Sequence, residues 1–208
     1  MKQIALILIF ILTTLICFGQ KEHLEPARDF YQYEGVLKEY YDNVFLLLYS
    51  GFTQKPYARY TSMPAFSNEY AFSVEEISGK FYIISNMLSE NYWYAGYENK
   101  RNSVKVNTSK IEINNDLYLK IGELFELLAE QTKRGLQIIG EDGVTYYFTS
   151  TDKNGEIRIG ETWSPSKNSL LGRLVKICNN LYSIGDEKSI SQTEILTEID
   201  KLINDLKQ

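Results

Sequence analysis

An α+β fold, with antiparallel β-hairpins packed against about four α-helices, is what the sequence predicts. Two short alternating runs each close on a turn signal, and between them lie amphipathic stripes bounded by capping residues. Short antiparallel strands with helices grouped around them point to an α+β layered domain.

The elements follow in order. Phe30, Tyr33, Leu37, Tyr40, Val44 and Leu47 recur at three- and four-residue spacings ahead of Gly51. That pattern predicts a long helix from Pro26 to Tyr49, although Gly35 interrupts it and Val44–Tyr49 also suits a strand. Residues 52–68 hold Pro56, Pro64 and small polar residues, and read as irregular chain. Two runs, Glu69–Glu76 and Lys80–Asn86, then flank Ser78-Gly79 as a hairpin, with Tyr70, Phe72 and Val74 on one side. A further strand is expected over Val104–Ile113. After Asn114-Asn115, a stripe of Leu117, Ile121, Leu124 and Leu128 marks a helix with an Asn cap, closed by Lys133, Arg134 and Gly135.

The third section repeats the scheme. Val144–Ser150 and Glu156–Trp163 flank Asp152-Lys153-Asn154-Gly155, a strong hairpin turn. Ser164-Pro165 looks like the cap and first residue of a helix that carries Leu170, Leu171, Leu174, Val175, Cys178, Leu181 and Tyr182 on one face. A last helix over 191–206, an appendage or an integral part, opens at Ser191 with Glu194 completing a capping box.

Ahead of this body, Lys2 precedes an apolar run from Ile4 to Phe18, and Cys17-Phe18-Gly19 offers small residues at the −3 and −1 positions of a cleavage site. Charge, short apolar segment and small-x-small is the order of an export signal. The expectation is therefore a signal peptide over 1–19 and a mature domain over 20–208, periplasmic or extracellular. Two rival readings compete with cleavage near Gly19. One is an uncleaved anchor, for which the 15 residues Ile4–Phe18 fall short of the roughly 20 that span a bilayer. The other is a lipid anchor at Cys17, against which the bulky Ile16 stands where lipoprotein signals want a small residue. No membrane span is expected in the mature chain.

Composition narrows the function classes. The net charge is −5, and removing Lys2 with the leader makes it −6. With cations scattered, no basic stripe for nucleic acid is formed. Cleavage leaves Cys178 alone, so no intramolecular disulfide can form, and its helical stripe marks it as a small buried hydrophobe. The single histidine, His23, lies near the mature terminus, where neither a Ser-His or Cys-His hydrolase nor a zinc site is expected. Metal sites and cofactors are not expected. Asp152–Glu156 resembles a calcium loop in outline, but Gly155 is fourth and Trp163 occupies the twelfth position, where a bidentate Glu is needed. Glu69, Glu75, Glu90, Asp142 and Glu161 sit near strand ends without a spacing that selects a catalytic pair. No catalytic residue is assigned.

One oddity remains. Of 16 tyrosines, 12 lie between Tyr31 and Tyr97, culminating in Asn91-Tyr92-Trp93-Tyr94-Ala95-Gly96-Tyr97. Amphipathic rings anchor protein partners and also stack on sugars, while core and hairpin filling, which Tyr and Trp suit in strands, is the plainer reading and comes before either. Tyr92, Trp93, Tyr94 and Tyr97 are the candidate binding residues, with Arg59 between Tyr57 and Tyr60 as a candidate anion clamp. The segment Glu141–Phe148 followed by Thr162-Trp163-Ser164-Pro165 forms a coherent supersecondary unit with no activity of its own. The sequence-level expectation is an exported binding protein for a protein partner in the cell envelope, of the inhibitor or immunity type. A carbohydrate- or cell-wall-binding module, with or without weak carboxylate-dependent hydrolysis, is the alternative, and self-association through the first helix is a third reading.

Overall fold

The computed structural model describes residues 22–27, 33–135, 142–186 and 189–208. The leader, Cys17 within it, and Phe30 and Tyr31 lie outside the described residues. Strand β1 (Glu25–Pro26) is followed by α1 (Gly35–Leu48), β2 (Ala58–Pro64), β3 (Tyr70–Ile77), β4 (Lys80–Leu88) and the short α2 (Tyr92–Tyr97). Then come β5 (Val106–Ile113), α3 (Asn115–Gln131), β6 (Val144–Thr151), β7 (Ile157–Trp163), α4 (Leu170–Tyr182) and α5 (Gln192–Lys207). All seven strands form one antiparallel sheet in the order β1-β7-β6-β2-β3-β4-β5. The α+β expectation holds, with five helices among the described residues.

Register decides what each face buries, because residues directly opposite one another share a face. Gly160, Phe148, Tyr60, Phe72 and Ser85 form one row across β7, β6, β2, β3 and β4. That face carries the main core, covered by α3, α4 and α5. Leu117, Ile121, Leu124, Phe125 and Leu128 come from α3, and Leu171, Leu174, Ile177, Cys178 and Leu181 from α4. Ile195, Ile199, Leu202, Ile203 and Leu206 of α5 join the same cluster, so this helix belongs to the domain. Each fully buried aliphatic or aromatic side chain here stabilises by about 1.5–3 kcal/mol.

The opposite face is shifted by one residue along the same strands. Its row reads Glu161, Tyr147, Thr61, Ala71, Asn86 and Thr108. A second cluster covers it, in which Tyr40, Val44 and Leu48 of α1 and Tyr92 and Ala95 of α2 meet Met63, Ala71, Leu88 and Tyr147.

Several boundaries differ from the sequence reading. The first helix starts at Gly35, not Pro26: Pro26 pairs with Gly160 in the edge strand β1, and Gly35 adopts φ +57°, a conformation that suits glycine and sets the helix start. Residues 58–64, read as irregular, form the central strand β2. Every one of its residues is buried, so no alternation marks it, and Pro64 stands at its end. Ser164-Pro165 does not start α4. Ser169 does, its side chain accepting from the N–H of Gly172 at 3.0 Å. Helix α3 ends at Gln131, before Lys133 and Arg134, and the Lys133 N–H bonds to the carbonyl of Leu24 at 3.1 Å. The remaining caps match: Asn114 accepts from the Leu117 N–H at 2.8 Å, and Ser191 with Glu194 completes a capping box.

Candidate functional site

Helix α2, the six residues Tyr92–Tyr97 capped by Asn91, is divided by its sequence into an inner and an outer side. Tyr92 and Ala95 point inward and are buried, Trp93 is half-buried, and Tyr94 and Tyr97 are 44% and 71% exposed. The structure thus brings Trp93, Tyr94 and Tyr97 together on one short element and assigns Tyr92 to the core beneath them.

Three devices hold the element in place. Asn91 caps it, accepting from the Tyr94 N–H at 3.0 Å while its amide donates to the Ser67 carbonyl at 2.7 Å. Glu69, fully buried at the start of β3, accepts from the Tyr92 N–H at 3.0 Å and from the Tyr40 hydroxyl at 2.8 Å. Arg101, just beyond the helix, places its guanidinium over the Tyr92 ring at 5.3 Å and pairs with Glu39 of α1 at 2.6 Å. Ring contacts complete the support: Trp93 meets Tyr40 edge-on at 5.3 Å and Tyr97 at 5.7 Å, the latter with planes 77° apart.

Burial shapes the ionisation of this cluster. Desolvation raises the carboxyl of Glu69 above its ordinary range, partly opposed by hydrogen bonds from the backbone at Tyr92. Burial first, and then the Glu69 charge, push the Tyr40 hydroxyl pKa above its ordinary value.

Arg59 is placed elsewhere and does something different. Only 6% exposed, it donates to the Thr53 carbonyl and lies over the rings of Tyr49 and Phe52 at 4.4 and 5.3 Å. Burial lowers its pKa, opposed by Tyr49 and Glu75. Glu75 accepts from the Thr53 N–H at 3.1 Å and the Ser73 hydroxyl at 2.6 Å. Asn86 donates to the carbonyls of Leu48 and Ser50 at 2.8 and 2.9 Å, and Tyr49 bonds Thr61 at 3.0 Å. These buried polar groups satisfy the backbone where α1 turns into β2, so Arg59 acts as an anchor for that turn.

The other candidates resolve similarly. Glu69 and Glu75 are committed to anchoring, Glu161 is buried beside Tyr147, Glu90 meets the Ser103 hydroxyl at 3.4 Å, and Asp142 is exposed. Asp152 accepts from the N–H groups of Asn154 and Glu156 and from Arg158, which closes the β6–β7 turn with its own side chain. Cys178 is fully buried and burial pushes its thiol up. His23 contacts the Leu24 carbonyl at 3.0 Å. Among the described residues no group of three or more His, Cys, Asp or Glu gathers as metal ligands, and no helix is long and apolar enough to cross a membrane.

Sequence reasoning flagged the α2 rings from their density but had no signal for Glu69, Asn91 and Tyr40 as their support, since these converge from three separate elements. Comparison with protein-family models, with curated proteins and with solved structures returns no match.

Proposed function

We propose that this chain is an exported binding domain whose contact surface is α2, and that its partner is another protein of the cell envelope, in an inhibitor or immunity role. The observation that carries this reading is the outward display of Tyr94 and Tyr97, beside the half-buried Trp93, on a helix fixed from beneath. Aromatic side chains on a rigid support present contact area without a large ordering cost on association. The acidic balance and the leader-like segment over 1–19 agree with an exported, partner-binding role.

Sugar recognition is less well served by the same rings. Stacking on a pyranose needs a flat ring face, whereas Trp93 and Tyr97 meet at 77° and do not make one continuous platform. The self-association reading would draw on Val36, Leu37 and Leu46, which α1 leaves 60%, 43% and 74% exposed.

The test is affinity capture from the envelope of the producing cells with the purified protein and with its Tyr94→Ala/Tyr97→Ala variant. A stoichiometric protein retained by the first and lost with the second supports the proposal. Absence of any stoichiometric partner, or equal retention by both, overturns it. Capture of glycan in place of protein would transfer the surface to the carbohydrate reading.

A further inference from the structure

A cleft of about 480 Å³ lies between α4 and the chain leaving β7, away from α2. Tyr146, Ser164, Pro165, Lys167, Val175 and Asn179 line it, together with Gly172, Lys176 and Asn180. Its size falls in the range of small-molecule sites, about 300–1,000 Å³. Ser164 and Pro165, which have no part in the α2 surface, form part of its rim.

Two costly local choices converge on this one cleft. Ser164 holds φ +37°, a left-handed conformation that a non-glycine residue rarely adopts. Gly172 sits in α4, where glycine is unfavourable, yet a Cβ there would lie 1.9 Å from the Ser166 carbonyl oxygen. Together they let the 164–168 segment close against α4 and wall the cleft.

Donors dominate the lining. The side-chain oxygen of Asn179 accepts from the hydroxyls of Tyr60 and Tyr70, both at 2.9 Å, so the amide orientation is set by two tyrosines of the core. Its nitrogen, with two N–H donors, has no acceptor among the described residues. The Tyr146 hydroxyl likewise has no partner among the described residues, and its ring is stacked on Tyr60 with centroids 5.8 Å apart. Lys176 and Asn180 are taken by Glu198 at 2.5 and 3.2 Å, whereas exposed Lys167 pairs with no acid among the described residues. Val175 and Pro165 supply an apolar wall.

Amide N–H groups, a phenol and an ammonium beside an apolar wall complement a carboxylate joined to a short apolar group. We propose that the cleft binds a small carboxylate with an apolar tail, with Asn179 and Tyr146 donating to the carboxylate and Lys167 neutralising it. This site is independent of the α2 surface, and either can fail without the other.

The experiment is a titration of the ¹⁵N-labelled protein with N-acetyl-leucine and with its neutral amide, N-acetyl-leucinamide, followed by NMR. Saturable shifts at Tyr146, Lys167 and Asn179 are expected with the carboxylate at millimolar concentration and not with the amide. Asn179→Asp keeps an acceptor for Tyr60 and Tyr70 but replaces the donors with a negative charge, and should abolish the shifts. Lys167→Ala, at an exposed position that the fold does not use, should weaken binding about tenfold, as expected for one charge-assisted contact. No saturable shift, an equal response to the amide, or unchanged affinity in Lys167→Ala would overturn the proposal.

Discussion

Phe148, Tyr60 and Phe72 stand side by side on one face of the sheet, while one residue further along the same strands Tyr147, Thr61 and Ala71 face the other way. The first row meets three helices with continuous apolar stripes, and its cluster is joined by hydroxyls that end within it: those of Tyr60 and Tyr70 on Asn179, that of Ser85 on the Tyr182 carbonyl and that of Tyr57 on the Tyr118 carbonyl. The second row meets a shorter layer, and Arg59, Glu75, Asn86 and Glu69 reach out of the sheet to hold backbone that α1 and α2 leave unsatisfied. One face stabilises by area; the other fixes geometry. A surface that has to present particular side chains in a fixed arrangement gains from the second kind of construction, and the exposed rings of α2 lie on that side.

This contrast can be broken at several points. Phe72→Ala, in the apolar row, should destabilise most, by about 3–5 kcal/mol in urea unfolding. Arg59→Ala should cost about 2–3 kcal/mol, since it strands the Thr53 carbonyl and removes the guanidinium that lies over two rings, and Arg59→Met should recover part of that loss by refilling the volume. If Arg59→Met were as damaging as Arg59→Ala, the anchor would be electrostatic and not steric. Tyr40→Phe deletes the hydroxyl bonded to Glu69 and should cost about 1–3 kcal/mol, because a buried carboxylate loses a donor.

The pH dependence sharpens the comparison further. Glu69 has a folded-state pKa raised above its ordinary 4.5, so the folded protein binds that proton more tightly than the unfolded chain does. Wild-type stability should therefore fall relative to Glu69→Gln as pH rises from 4.5 through the raised value. Below 4.5 the difference between the two proteins should be flat. Unfolding free energies of both proteins across this window check it, and a difference that grows in the opposite direction would mean the hydrogen bonds outweigh burial.

Much of the apolar face was legible in the sequence. Its helices carry their stripes and capping residues locally, and the β3–β4 and β6–β7 hairpins announce themselves through Ser78-Gly79 and Asp152–Gly155. The polar face was not. Strand β2 is buried on both sides and so lacks alternation, and its Arg59, Thr61 and Ser62 look like loop residues until their partners in Thr53, Tyr49 and the neighbouring strands are seen. Tyr92–Tyr97 showed its aromatic density but not its division into one core ring and two exposed ones, because that depends on α1 lying beneath it. The cleft beside α4 was hidden for the same reason: Ser164-Pro165 carries a helix-start signal, and only the close approach of Ser166 to Gly172 shows why α4 starts later.

The central claim is that the outer rings of α2 are displayed for binding while the ring beneath them holds the fold. Urea unfolding of Tyr94→Ala/Tyr97→Ala beside Tyr92→Ala tests this most directly. The double variant should stay within about 1 kcal/mol of wild type, as for exposed positions, while Tyr92→Ala should lose on the order of 3 kcal/mol. A double variant as unstable as Tyr92→Ala would place all three rings in the core and remove the basis for an α2 contact surface.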